Sequence, residues 1–420
     1  MSISTHEKSS DGSSVELIVI PTLRARFLAN GMVRTTAKFI EGMRMYAQLW
    51  PGPVSALLRH SDAADSNLDP VIVDPADLPF GLFRVDLADE RAVARAILDS
   101  AAVLASLDCD QTGMSRICRR LDIPCVYATE YTLATRRQII AATTRNPLRR
   151  VRRELWTRRL ERKQLAALRL ASGVQCNGTP TYNAYRHITP SPLLYFDTRV
   201  SEDMLISSAA LEDRLDELGY RPDLRLAFSG RLVRMKGAHH LPTLARELRR
   251  LNIRITLDIY GDGDCREELR QRIDKLQLGD FVRLRGVVDF SSELIPTLSR
   301  ETDLMVLPHP QGDPSCTYLE TLATGVPIVA YNNEAWSGIL DDANLRRLSI
   351  GRAATLGDPR ALAREIAHYA HHRDELAAAS RDARSFAAAH TFEATFRCRV
   401  EHLLSLSRFT RSRGTTPLSA

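Results

Sequence analysis

The sequence predicts an α/β protein built from two doubly wound domains with parallel sheets, followed by C-terminal helices. Three observations lead there. Its 420 residues exceed what one core usually holds. Short β-branched runs alternate with longer helical stretches from Val15 onward. That series pauses in a looser stretch, LEDRLDELGYRPD, and starts again near Arg225.

In the first series VELIVIP, PVSALL, PVIVDP, AVLASLD, PCVYAT and GVQCNG read as strands. GMVRTTAKFIEGMRMYAQLW, ERAVARAILDSA and a basic segment read as helices between them, which implies βαβ units. In the second series LRLAFSG, RITLDIYG, FVRLRGVV, LMVLPH and VPIVAY read as strands, separated by four helical segments from HLPTLARELRRL to CTYLETLAT. The expected organisation is a flexible N-terminus 1–14, a first domain 15–206, a linker 207–223 and a second domain 224–390. A helix 391–406 that crosses back toward the first domain and a flexible tail 407–420 complete it.

Composition narrows the class. Hydrophobic residues make up 44% and charged residues 26%, ordinary for a globular protein. Seven scattered cysteines without a C-x-x-C pair read as reduced thiols of a cytosolic protein, with no zinc module. The first fourteen residues lack the apolar core of a signal peptide, and no run approaches the ~18 apolar residues of a membrane span. The net charge of +6 is concentrated. Residues 136–169 carry twelve Lys or Arg against two acids, Glu154 and Glu161. With Ile139, Ile140, Leu148, Val151, Leu155, Trp156 and Leu160 interleaved, this segment reads either as a solvated helix packed on the core or as a contact for an anionic membrane surface. A nucleic-acid partner is not expected, because no recognition module accompanies the charge.

In open parallel sheets, ligands bind beyond the carboxyl ends of the strands. After LRLAFS, Gly230 lets the backbone approach a ligand, and Arg231 and Lys236 place two cations suited to a diphosphate. In GDPSCTYLETLATG, Asp313 to Thr317 form a loop and the start of a helix. The amides and hydroxyls of Ser315, Cys316 and Thr317 are expected to cradle an anion, and Glu320 to accept from a vicinal diol such as ribose. Asp262-Gly263-Asp264 and Asp108-Cys109-Asp110 are read as turns rather than metal motifs. AHYAHHRDE is read as a solvated helix face, so no metal and no cofactor are expected.

Together, GRLVRMKG, YGDGD, LGDFVRLRGVV and SRETDLMVLPHP…DPSCTYLETLATGVPIVA resemble the retaining family 4 glycosyltransferases of the GT-B fold, over residues 222–340. That resemblance implies two Rossmann-like domains facing each other across a cleft, and a nucleotide-sugar donor, UDP- or GDP-linked. It implies that Arg231 and Lys236 bind the diphosphate and Glu320 the ribose, with Gly230, Gly261, Gly286, Val287 and the 315–317 loop around the donor. The first acid of the family's pair falls on Gly312, and Asp313, seven before Glu320, is the nearest carboxylate. By the same resemblance Asn30-Gly31 matches a glycine loop facing the donor phosphates, although each such pair also reads as a plain turn. Glu130 stands near a sugar-contacting position, and Asn177-Gly178 faces the cleft. The implied acceptor is a glycan or a lipid-linked sugar of bacterial-type surface polysaccharide synthesis. A nucleotide-sugar epimerase or phosphorylase of the same fold, and a noncatalytic binding subunit, stand as alternatives.

Overall fold

The computed structural model describes residues 15–62, 70–144 and 146–408. It holds two sheets. In the first, Glu16–Ile20 lies between Val54–His60 and Ser100–Ser106, and Cys125–Thr129, Gly173–Asn177 and Pro192–Tyr195 continue outward in parallel. The opposite edge departs from a purely parallel order. Arg24–Phe27 and Val33–Thr36 form an antiparallel hairpin, and Pro70–Val73 pairs antiparallel with the latter. The helix expected from Gly31 therefore begins only at Ala37 and runs to Leu49, capped by the Thr36 hydroxyl. The β-branched run VRTT pairs as a strand first.

The second sheet has six parallel strands in the spatial order Val282–Gly286, Ile255–Tyr260, Leu224–Ser229, Leu304–Leu307, Ile328–Tyr331, Gly351–Ala354. In each sheet the first strand sits where the strand order reverses, which opens a crevice at its carboxyl end. The loops after Ile20, Ser106, Ser229 and Leu307 therefore converge on ligand space.

Residues read as a linker, 207–223, instead contain the helix Ser208–Tyr220, whose Leu211, Leu215 and Leu218 are buried in the second core. Their i, i+4, i+7 spacing makes one apolar face. Arg214 on that helix is buried and donates to the carbonyls of Ser299, Thr324 and Gly325 at 2.8, 2.9 and 2.5 Å, closing the ends of two neighbouring helices. Burial pulls its guanidinium down to about 10. The last helix, Phe392–Leu406, lays Phe396, Val400 and Leu403 on the first core, and Phe396 meets Tyr46 edge-on at 4.9 Å. A side chain at Gly42 would meet the Phe396 ring at 3.0 Å, so the glycine sets how closely this helix docks. The segments expected to be flexible, 1–14 and 407–420, lie outside the described residues apart from Ser407 and Arg408.

Candidate active site

The second domain supplies a compact anion cradle. The chain leaves Ser229 through Gly230, and a Cβ on Gly261 would stand 2.0 Å from the Gly230 carbonyl, so the two glycine turns nest against each other. Gly237 is left-handed, with φ +70, and a Cβ there would strike Pro308 O at 1.7 Å. This turn drives Lys236 inward. Lys236 is buried, and its Nζ donates to Asp313 Oδ2 at 2.7 Å and Ser315 Oγ at 3.2 Å. Ser315 Oγ in turn donates to Thr317 Oγ1 at 3.1 Å. Arg231 is exposed at the mouth, and its guanidinium makes no hydrogen bond or ion pair with any described residue. Among the described residues the amides of Cys316 and Thr317 have no backbone partner, whereas the Ser315 amide, expected to be free, is spent on Asp313 O at 2.8 Å. The proline-containing turn Asp313-Pro314-Ser315 consumes that donor.

Both acids read from the sequence are already engaged. Asp313 is paired with Lys236. Glu320, on the helix Thr317–Ala323, is 7% exposed and accepts from Arg199 Nε at 2.9 Å. Arg199 also lies 4.1 Å over the Phe290 ring, beyond the Gly286-Val287 turn, where Gly286 has φ +79 and Val287 is exposed. At Gly312, the volume a side chain would take is occupied from elsewhere. A Cβ there would meet Glu334 Cβ at 3.0 Å and Glu334 Oε2 at 3.2 Å. The Glu334 carboxylate, at the first turn of the helix Glu334–Leu345, has no side-chain hydrogen bond or ion pair with any described residue.

The first domain forms the facing wall. Asn30-Gly31 does not contribute to it. These residues make the exposed turn of the Arg24–Phe27/Val33–Thr36 hairpin, with Gly31 N bonded to Leu28 O and Asn30 Oδ1 accepting from Met32 N. The loop that follows the first strand into the crevice is Pro21-Thr22-Leu23 instead. Asn177 and Gly178 do face the cleft. Asn177 is buried and holds the Asp197 amide of its own domain at 3.0 Å, whereas Gly178 serves the contact between domains, since a Cβ there would lie 3.0 Å from Pro314. Gly338 does the same from the other side, since a Cβ there would fall 1.7 Å from Thr179 Oγ1.

Glu130, at the carboxyl end of Cys125–Thr129, lines a cavity of about 520 Å³ beside Ile20, Ser106, Lys38, Asp197 and Arg399. Its carboxylate is open to the cleft yet closely surrounded by protein. Loss of solvation raises its pKa first, Asp197 adds to this, and Lys38 opposes it. Lys38 Nζ meets Asp197 Oδ2 at 2.5 Å and Cys316 Sγ at 3.4 Å, so it touches the 313–317 loop of the other domain. Burial disfavours its charge, but Asp197 and Cys316 outweigh that and hold the ammonium well above the ordinary lysine range. Cys316 is pushed up by burial and by Asp197, which keeps it a neutral thiol. Lys38, Asp197, Arg199, Glu334 and Arg399 were not singled out by sequence. Each is a single charged residue far along the chain from its partners, and only Lys38, two residues past the Thr36 cap, carries a local signal.

The D-x-D stretches are consumed locally. Asp262 pairs with Arg266 at 3.1 Å and Asp108 with Arg59 at 3.1 Å. Among the described residues, His368, His372 and Glu375 form the one group spaced to hold a metal ion, on the outer surface. The basic helix Pro147–Leu170 buries only its C-terminal half, through Thr157, Leu160, Gln164, Ala167 and Leu168. Its first half projects with Leu148, Val151, Leu155 and Trp156 all at least half exposed.

Residues 214–386 match the family model described as glycosyl transferases group 1. A search of curated protein sequences finds no match. Among solved structures, the fold is similar to Alr3699/HepE of Anabaena in complex with UDP, at 16% identity and TM-score 0.63, over 93% of this chain and 100% of that one. It is similar to sucrose-phosphate synthase of Thermosynechococcus elongatus at 14% identity and TM-score 0.62, over 96% and 100% of the two chains. It is also similar to WaaG, a glycosyltransferase involved in lipopolysaccharide biosynthesis, at 12% identity and TM-score 0.57, over 92% and 99%. The two parallel-sheet domains are thus a GT-B fold.

Proposed function

We propose that this protein is a retaining glycosyltransferase of the family 4 type. It moves a hexose from a nucleotide diphosphate to a glycan or lipid-linked acceptor in surface polysaccharide synthesis. The observation that carries the reading is the Lys236, Ser315, Thr317 cradle at the switch point of the second sheet, with Arg231 at its mouth and Glu320 behind. The match of residues 214–386 and the likeness to HepE, whose structures hold UDP and UDP-glucose, support it.

Departure of the nucleotide leaves charge on the β-phosphate. Lys236, Arg231 and the Cys316 and Thr317 amides stabilise that charge more as it develops than in the bound donor, which is what accelerates the step. The acceptor hydroxyl attacks on the face from which the phosphate leaves, and the phosphate takes its proton. No side chain then needs to be a strong base. With Asp313 spent on Lys236, the carboxylate that reaches the donor sugar is Glu334, which fills the space beside Gly312. Glu320 receives the ribose when Arg199 yields it. The test is a thermal-shift series with UDP, GDP, ADP and their hexose conjugates. One nucleotide raises the melting temperature, and Glu320→Ala removes the rise. No rise with any of them sinks the reading.

The acceptor's membrane side is reached through the projecting half of the helix Pro147–Leu170. Leu148, Val151 and Leu155 form an exposed apolar stripe flanked by arginines, the composition of an interfacial helix. No helix among the described residues is long and apolar enough to cross a membrane. Binding to phosphatidylglycerol vesicles, weakened by salt and by Trp156→Ala with Leu148→Ser, is expected; equal binding to phosphatidylcholine removes this part.

A further inference from the structure

The 520 Å³ cavity in the first domain carries a polar arrangement that the transfer chemistry alone does not use. Arg399 reaches it from the last helix. Its Nε donates to Gln175 Oε1 at 2.8 Å while Gln175 Nε2 donates to Arg399 O at 2.9 Å, a reciprocal clamp that fixes the guanidinium. The Tyr195, Phe396 and Tyr46 rings lie 4.4, 5.3 and 5.5 Å from its Cζ and hold its plane. The two terminal nitrogens have no hydrogen bond or ion pair with any described residue. On the same lining, the Tyr46 hydroxyl is buried without a partner among the described residues, and the Tyr195 hydroxyl also makes no hydrogen bond to a described residue. Asp197 and Glu130 lend this cation a favourable field, but neither closes an ion pair with it. Lys38 and Asp197 are joined to each other at 2.5 Å, and Glu130 stands more than ion-pair distance from Arg399, toward the donor loop. The cavity thus has a fixed fork of donors, without hydrogen bond or ion pair at its terminal nitrogens among the described residues, on an aromatic floor with the Glu130 carboxylate on the same lining.

Resting on the glycosyltransferase reading, we propose that this cavity is the acceptor subsite and that it selects a sugar bearing an anionic group, a carboxylate or a phosphate. The anion sits on Arg399 with the Tyr46 and Tyr195 hydroxyls, and the ring covers the aromatic floor. The attacking hydroxyl points past Glu130 to the donor. A guanidinium fork binds such an oxyanion through two parallel, charge-assisted hydrogen bonds, and a neutral sugar's hydroxyls accept only the weaker, uncharged kind.

The experiment measures binding of methyl β-D-glucuronide, glucose 6-phosphate and methyl β-D-glucoside to the full chain by calorimetry, with UDP stabilisation recorded on the same samples. At least one anionic sugar is expected to bind about tenfold or more tighter than the glucoside. The arm that wins tells a uronic acid from a sugar phosphate. Arg399→Gln is expected to erase the preference and leave the UDP shift unchanged; Arg399→Lys keeps part of it. Equal binding of all three, no binding of any, or a preference that survives Arg399→Gln overturns the proposal. Should Arg399→Gln fail to fold, Tyr195→Phe replaces it and must reduce the preference at least twofold. A normal UDP shift beside any negative result leaves the transferase reading standing, whereas loss of UDP binding by the unaltered protein strikes that reading itself.

Discussion

The two walls of the cleft keep their charges differently. On the wall proposed to hold the donor, the cation Lys236 and both acids are committed to partners, Lys236 to Asp313 and Glu320 to Arg199. On the facing wall one pair is closed, Lys38 with Asp197, but Arg399 and Glu130 stand apart with space between them. On the proposed reading a donor exchanges partners to bind, so its own charges replace those of the protein. The proposed acceptor enters a site whose charges are already separated and held, with less reorganisation.

The sharpest way to break this contrast is at Lys236. Lys236→Met is expected to lower turnover by about 10²–10³, measured as nucleotide release in the presence of acceptor. It also leaves Asp313 without its cation. Adding Asp313→Asn should restore the melting temperature but not the rate, which separates the cradle's chemistry from its packing.

Next comes the scaffold behind the donor wall. Arg214 donates to four carbonyls from a buried position, those of Leu298, Ser299, Thr324 and Gly325, and each loses this donor in Arg214→Leu. A cost of about 3 kcal/mol or more is expected, read as a lower midpoint in urea. Loss confined to the second domain's transition would show that the two walls unfold as separate units.

A smaller effect tests the Arg199 latch. Arg199 is partly exposed, so its pair with Glu320 is worth about 1 kcal/mol at most, and Arg199→Ala should tighten UDP binding by no more than about fivefold. Weaker binding instead would mean that Arg199 stays in the complex as a nucleotide contact.

The donor wall was legible in sequence because each part of it is local. Gly230, Arg231, Lys236 and Gly237 lie in one loop, and Asp313 to Glu320 in another, so spacing alone brings them together once strands of a parallel sheet are assumed. The facing wall was not, because Lys38, Glu130, Asp197 and Arg399 come from four separate elements. The antiparallel hairpin misled the reading at Asn30-Gly31, where a turn with a positive φ imitates a phosphate-facing glycine loop. The run 207–223 looked loose because its acids hide the spacing of Leu211, Leu215 and Leu218. Glu334 was invisible for another reason: its relation to Gly312 is a matter of filled volume between two loops, which no pattern along the chain encodes.

The mildest effect falls on the facing wall, at Glu130. Loss of solvation raises its carboxyl above the ordinary value, Asp197 and Asp313 add to this, and Lys38 and Arg399 oppose it. Between the unfolded value of about 4.3 and the raised one, the folded chain therefore holds more proton than the unfolded chain. Stability from this group is then highest below that window and is lost as pH rises through it, the reverse of a salt-bridged carboxylate. Gln cannot titrate, so the melting temperature of Glu130→Gln relative to the unaltered protein should climb as pH is raised through the window and level off above it. Asp197→Asn, by removing the neighbouring charge, should narrow the window from above. A difference that stays flat with pH would mean that water solvates Glu130 as it does a surface carboxylate, and that the cavity is open on the side where the two walls meet.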